Sequence, residues 1–397
     1  MAIYRDCPTI VTHPIATRLQ GIETSAIRTM TRLAVQHGAV NMAQGLPDIE
    51  PHPTVLEAAC KAIRDGHNQY SITWGLPELR EAIAQTFQRL YRYSYHPETQ
   101  ITVTCGVSEG IVLAVLSTVH PGDEVVVIEP MHENYVPAIA FAQGRPVFVR
   151  LDPPHYRLEP EALTAAFSDR TKAVILNTPH NPTGRVFGQQ ELELIAQLCQ
   201  QYNALAITDE IYDRLTFDER SHIPLASLEG MSDRTITIGG LGKTLAVTGW
   251  RLGYVCASPA LSEAVRKLHD FTTICAPTPL QHAAVAALNL PDEFFAQQRR
   301  DYEGRRDRIF NLVKSAGFVA QPPQGAYYLM TDFSEMRFEG DDWAFTKYMT
   351  ETVGIAVVPG SAFYATPGLG KAEVRWAFAK RPETLDAVAE RLERLRC

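Results

Sequence analysis

Asn177-Thr178-Pro179-His180-Asn181-Pro182-Thr183-Gly184 closes one apolar run, Thr208-Asp209-Glu210-Ile211-Tyr212 closes the next, and Gly239-Gly240-Leu241-Gly242-Lys243-Thr244 follows a third. The runs at residues 172–176, 205–208 and 235–238 are short and rich in β-branched residues, so they read as strands, with a helical pattern at 189–202 between the first two. This alternation is the signature of βαβ units around a parallel sheet. Upstream, residues 101–104, 125–128 and 146–151 read as further strands, and 108–119 and 159–168 as helices, the former starting just after Gly106. Downstream, Thr248-Gly249-Trp250-Arg251-Leu252-Gly253-Tyr254 opens a strand over 251–257. Near-continuous apolar character predicts strands covered on both faces. The polar groups around Asn181, Asp209 and Arg251 are expected at carboxyl ends of parallel strands, where open α/β sheets gather their ligands.

A chain of 397 residues exceeds what one hydrophobic core usually serves, so two domains are expected. From about Pro291 the character changes: residues 292–315 form a long charged helix candidate, followed by a helix at 343–352 and a strand pattern at 354–358. The first fifty residues carry a helix candidate at 25–37 without the βαβ rhythm. Residues 47–289 are read as a large domain, and 1–46 with 290–397 as a smaller α+β domain built from both chain ends. A formal net charge of −8 argues against a nucleic-acid partner, because phosphate backbones recruit basic surfaces. No stretch approaches the roughly 18 apolar residues of a membrane helix. The start, Met-Ala-Ile-Tyr-Arg-Asp, has no apolar core of the signal-peptide kind, which points to a cytoplasmic protein. Cysteines 7, 60, 105, 199, 256, 275 and 397 are odd in number and form no CxxC pair, a pattern of reduced thiols with no metal site.

The glycine-flanked Lys243 admits two chemical readings. A phosphate-cradling GxxxxGK[ST] loop needs glycine at 237, where Thr237 stands, and a helix afterwards, where a turn into a strand is expected. The other reading is a lysine exposed by small neighbours to a cofactor aldehyde; a solvated loop lysine is the plain alternative. The ordered groups decide between them. From Gln44-Gly45-Leu46-Pro47-Asp48 to Val374-Arg375-Trp376, nearly the whole chain resembles class I aminotransferases of pyridoxal-phosphate (PLP) fold type I. Within them it is most similar to the kynurenine/glutamine/methionine aminotransferase branch.

The resemblance implies an α/β fold of the aspartate-aminotransferase kind, PLP as cofactor and Lys243 as its Schiff-base lysine and proton carrier. It implies Asp209 against the pyridine nitrogen, and Asn181 and Tyr212 at the ring oxygen. Alone, Asp209 reads as a turn-capping carboxylate, Asn181 as a turn former before Pro182 and Tyr212 as a packed aromatic. The cofactor phosphate is expected on Gly106-Val107-Ser108 at a helix start, where free N–H groups and the helix dipole favour an anion, with Arg251 adding charge-assisted contacts. Tyr70 matches a tyrosine that in the family reaches the phosphate of the neighbouring subunit, which implies a homodimer; a core tyrosine is the alternative. Arg375 matches the arginine for the substrate α-carboxylate, assisted by the backbone of Gly45, and a guanidinium fork suits that planar partner.

Two positions depart from the family pattern. Gly240 stands where a serine usually donates to the phosphate, and His132 replaces the aromatic that stacks on the ring. An imidazole serves as a wall, but it also titrates, so proton transfer by His132 is a second reading. His180 reads as a turn residue. Ile27 occupies the position where the aromatic-preferring branch often has tryptophan, and no further arginine stands out for a second substrate carboxylate. A neutral or bulky apolar amino-acid donor is therefore expected, passing its amino group to a 2-oxo acid. A carbon–sulfur β-lyase, or a specialised amino-acid oxidase or replacement enzyme, uses the same residues and is the alternative.

Overall fold

The computed structural model describes residues 16 to 396. The opening six residues, Cys7 and Cys397 lie outside them; Cys60, Cys105, Cys199, Cys256 and Cys275 carry free thiols. Eight strands build the principal sheet: β1 (Ile101–Thr104), β2 (Glu124–Glu129), β3 (Arg145–Asp152), β4 (Arg157–Leu158), β5 (Thr171–Asn177), β6 (Leu205–Asp209), β7 (Thr235–Gly240) and β8 (Gly253–Cys256). Their order is β1-β8-β7-β6-β5-β2-β3-β4. The run from β7 to β3 is parallel, while β8 is antiparallel to both its neighbours and β4 to β3.

The apolar runs are buried on both faces, as their composition dictates. Val125, Val127, Ala173, Ile175, Ile207 and Ile238 pack with the Val107–Thr118 helix, and Val126, Ile128, Val174, Leu176 and Ala206 pack with the Gln189–Gln201 helix. Successive residues of one strand thus feed two cores, the two-residue period of a pleated strand.

The antiparallel course of β8 corrects one expectation. Arg251 does not follow a parallel strand; it precedes β8, which runs against β7 with Gly240 opposite Gly253. The reversal leaves Arg251 at the same sheet edge as Asn181, Asp209 and Lys243.

Asp292–Ser315 is a single helix, as its pattern predicts. Around it lie a four-stranded antiparallel sheet containing Tyr328–Asp332 and Glu373–Ala377, and a parallel pair of Val40–Asn41 with Ile355–Ala356. The expected strand at 354–358 is broken in two: Ile355–Ala356 joins Val40–Asn41, and Val358–Pro359 joins the four-stranded sheet. The helix expected at 343–352 is α-helical over Asp342–Tyr348 and widens into a π turn over Met349–Val353. Among the described residues no helix is long and apolar enough to cross a membrane.

Candidate active site

The ends of β5, β6 and β7, the loop after β2 and the first turn of the Val107–Thr118 helix converge on a cavity of about 450 Å³. Asn177, the last residue of β5, fixes two site groups. Its Oδ1 accepts from the Asn181 N–H (2.7 Å), and its Nδ2 donates to the Asp209 carbonyl (2.7 Å). A short polar side chain thereby replaces ladder bonds lost where strands give way to loops.

Asp209 is 3% exposed on the cavity floor. Its Oδ2 accepts from Tyr135 Oη (2.8 Å) and its Oδ1 from the Ile211 N–H (3.3 Å). Burial raises its pKa to about 6, against the lowering effect of those two bonds and of Lys243. Across the cavity, Lys243 Nζ donates to the Gly45 carbonyl (3.2 Å), which also accepts from Tyr327 Oη (3.1 Å). Tyr212 Oη donates to Tyr328 Oη (3.0 Å). Burial pushes the Tyr328 phenol up, but Lys243, Arg375 and the Tyr212 bond outweigh it, and its pKa lies below the ordinary tyrosine value.

At the other end, Gly106 caps the Val107–Thr118 helix at φ 80°, ψ 171°, a conformation that favours glycine. A Cβ there would lie 2.5 Å from Arg251 Nη2, so the guanidinium rests against the bare backbone beside the helix start. Ser108 Oγ accepts from Asn134 Nδ2 (3.1 Å). Gly240 is closely packed: a Cβ would lie 2.6 Å from Ile211 Cδ1 and 3.1 Å from Val107 Cγ2. The space of the expected serine is thus filled by apolar side chains.

Ile27, Gly45, Gly106, Val107, Ser108, His132, Asn181, Asp209, Tyr212, Lys243 and Arg251 all line the cavity. Arg375 is fully buried and lies outside the lining. Its Nη1 donates to Asn181 Oδ1 (2.9 Å), its Nη2 to the Ala43 carbonyl (2.6 Å), and Nε has no partner among the described residues. Its guanidinium lies 4.3 Å from the Tyr328 ring centroid. Tyr70 is not at the site; it is 75% exposed on the surface, which removes the core alternative. His132 places Nδ1 3.3 Å from Asn181 Nδ2. Desolvation, Lys243 and Arg375 lower its pKa to about 3, so the ring is neutral at ordinary pH. His180 bonds Thr183 Oγ1 through Nδ1 (2.8 Å) inside its own turn.

Tyr135 and Tyr328 were not legible in the sequence, because their bonds to the site span 74 and 116 positions. Nor were Arg28 and Glu133, which line the cavity beside Ile27 and His132. In helix patterning Arg28 reads as an ordinary solvated position.

Residues 38–392 match the family described as Aminotransferase class I and II. The chain is 39% identical over 386 residues to a probable N-succinyldiaminopimelate aminotransferase of Mycobacterium tuberculosis, covering 94% of this chain and 97% of that one. It is 35% identical over 411 residues to human kynurenine–oxoglutarate transaminase 1, covering 96% and 97%. The solved N-succinyldiaminopimelate aminotransferase from M. tuberculosis superposes with a TM-score of 0.93 at 38% identity, over 96% of this chain and 100% of that one.

The donor set suits the family's cofactor. The bare Gly106 backbone beside a guanidinium offers an anion cradle that any Cβ would fill. A buried carboxylate awaits a cationic ring nitrogen, and a lysine amine faces the same space. By sequence match, fold and donor chemistry, the chain belongs to the class I and II aminotransferases, pyridoxal-phosphate-dependent enzymes that move amino groups between amino acids and 2-oxo acids.

Proposed function

We propose that this aminotransferase takes neutral or bulky apolar L-amino acids as donors, with Lys243 as the residue that holds the cofactor and carries the proton. The observation that carries the reading is that Lys243 and the buried Asp209 carboxylate line one cavity whose walls include Ile27 and Leu46. Bound there, the cofactor supplies an electron sink conjugated to the substrate Cα. Asp209 holds the proton of the ring nitrogen. Asn181 would donate to the ring oxygen through Nδ2, and Tyr212 would do so with the proton it now gives to Tyr328, whose hydroxyl holds it in place. The N–H groups of Gly106, Val107 and Ser108, with Arg251, hold the phosphate dianion. Arg375 binds the α-carboxylate from behind Asn181, assisted by Gly45. Lys243 Nζ would hold the cofactor and would be the group that moves the proton at the substrate Cα. The Gly45 carbonyl steadies that amine between the two tasks. His132, neutral, is a wall for the ring.

The same proposal includes a cytoplasmic homodimer in which Tyr70 reaches the neighbouring site. Tyr70 (75% exposed) and Ile72 (46%) lie on one loop, and Phe271 (93%) and Ile274 (44%) at and just beyond the end of the Pro259–Thr272 helix; His269 Nε2 to the Thr73 carbonyl (2.9 Å) and Thr278 Oγ1 to the Gln69 carbonyl (2.7 Å) tie the two segments together. So much exposed apolar area on adjoining segments favours a partner surface. We assign residues 47–289 to the large domain and, of the described residues, 16–46 with 290–396 to the small one.

The test follows ¹⁵N from labelled methionine or leucine into the amino acid formed from an added 2-oxo acid. Transfer of label in step with donor loss is the expected result. Label released as ammonia with no amino acid formed contradicts the proposal and points to elimination or oxidation.

A further inference from the structure

A second cavity, of about 270 Å³, shares with the active site the loop that carries Asp209 and Tyr212. The end of the Pro77–Tyr91 helix, residues 213–222 and the first turns of the Asp292–Ser315 helix enclose it. Residues 209–214 serve both spaces. Asp209 and Tyr212 line the active site, whereas Asp213 and Arg214 line the second cavity. Between them the buried Glu210 bonds His222 Nε2 (2.8 Å), and His222 also lines the second cavity.

The walls carry positive charge that nothing there neutralises. Arg214, Arg220 and Arg299 all line the cavity, and none of the three guanidiniums has a hydrogen-bond or ion-pair partner among the described residues. Arg214 lies 4.0 Å from the Phe295 ring centroid, and its Nη2 is buried without an acceptor. The carboxylates nearby are engaged elsewhere. Asp213 accepts from Tyr91 Oη (2.7 Å) and from the Arg214 N–H (2.9 Å), and Asp292 pairs with Arg89 (3.3 Å). Further along the same helix an arginine does find its partner, since Arg306 bonds Asp218 (2.7 and 3.0 Å). His222 is 8% exposed, and its Nδ1 also lacks a partner among the described residues. Burial opposes charge on this ring, but Glu210 and Asp213 outweigh it and hold its pKa above the ordinary value. A protonated ring bonded to Glu210 through Nε2 keeps an N–H free on Nδ1. Buried donors left without acceptors are uncommon in folded chains and call for a ligand or water.

We propose that this cavity binds a small phosphate monoester, and that its occupancy is felt at the active site through residues 209–214. Donors that approach from a loop and from a facing helix suit a tetrahedral dianion, whose oxygens point several ways. A planar carboxylate is satisfied by one guanidinium fork and would leave the other arginines unpaired. Leu90, Tyr91 and Phe295 supply an apolar wall for the organic part of the ligand. Because Arg214 Nη2 and His222 Nδ1 are buried at the wall, engaging them draws their loop toward the ligand. Asp209 and Tyr212, on the same stretch of backbone, respond to that pull.

The experiment titrates the holoenzyme, whose own phosphate cradle PLP already fills, with phenyl phosphate, inorganic phosphate and benzoate by calorimetry. Parent, Arg214→Gln and Arg220→Gln/Arg299→Gln are compared, and the visible absorption of the bound cofactor and the donor KM are followed at each ligand concentration. Phenyl phosphate should bind the parent about tenfold or more tighter than benzoate, with inorganic phosphate weaker than the ester. Each variant should weaken phenyl phosphate by about tenfold or more. The double variant, whose two side chains are exposed and outside the active-site lining, should keep its ligand-free kcat/KM. Phenyl phosphate should shift the absorption band of the parent and leave that of the double variant in place. Equal affinity in parent and variants, or benzoate bound as tightly as phenyl phosphate, overturns the site. Inorganic phosphate bound as tightly as phenyl phosphate overturns the ester as its ligand. Binding that depends on the arginines but moves neither the absorption nor the donor KM overturns the coupling.

Discussion

If Asp209 serves the cofactor as proposed, it does so at the expense of the cofactor-free fold, and Asp209→Asn measures that conflict. Burial raises the carboxyl from an ordinary value of 3.8 to about 6. The folded state therefore holds a proton more tightly than the unfolded chain does. Between about pH 4 and 6 the folded protein keeps a proton that the unfolded one has lost, so stability falls as pH rises through that window. A rise of about two units corresponds to on the order of 3 kcal/mol, fully felt above pH 6. Asparagine cannot ionise and escapes this penalty, and the bonds from Tyr135 and Ile211 are already included in the net rise. The cofactor-free variant should thus exceed the parent by about 3 kcal/mol at pH 7.5, with the difference vanishing near pH 4. For a chain of this length the shift in Tm is about 2–4 °C. Thermal unfolding of both proteins, freed of PLP, at several pH values from 4 to 8 is the assay. With PLP bound the order should reverse, because asparagine no longer offers a counter-charge to the ring nitrogen. Equal stabilities at every pH would refute the argument that Asp209 is strained by burial.

Further consequences follow from other residues. Because His132 is neutral at ordinary pH, its pKa lowered to about 3, His132→Phe should leave both limbs of the pH–rate profile between pH 6 and 9 in place; a limb that disappears would make His132 a proton carrier. Gly106→Ala places a side chain 2.5 Å from Arg251 Nη2 at a φ of 80°, and should weaken PLP binding about tenfold or more in equilibrium titration. Arg375→Lys cannot keep bonds to both Asn181 Oδ1 and the Ala43 carbonyl, and should lower kcat/KM for the donor by about 10- to 100-fold. Sedimentation should give a dimer, and mixing inactive Lys243→Ala with inactive Tyr70→Ala subunits should restore part of the activity if each site borrows a tyrosine from its neighbour.

The parts legible in the sequence were those encoded locally. Strands covered on both faces announce themselves as unbroken β-branched runs, and the residues that close them (Asn181, Asp209, Lys243) fall at one sheet edge by the geometry of a parallel sheet. The direction of β8 was not legible, since an apolar strand reads the same either way; only its pairing with β1 and β7 reveals the reversal. Tyr135 and Tyr328 were hidden for a different reason. Their hydroxyls act across long sequence separations, and a tyrosine in an apolar segment looks like core until its partner is seen. Arg28 and Glu133 were passed over because charged residues near a helix start usually face water. What sets them apart is the Ser25 cap that turns the helix onto the cavity. Gly240 likewise read as a missing phosphate donor, whereas the structure shows Ile211 and Val107 occupying the space.

Borohydride reduction of the PLP-loaded protein followed by peptide mapping asks directly whether Lys243 is the covalent anchor of the cofactor. One cofactor-derived mass per chain is expected, on the peptide carrying Lys243, and none in Lys243→Ala. A mass on any other lysine, or a Lys243→Ala protein still labelled and still transferring amino groups, would contradict it.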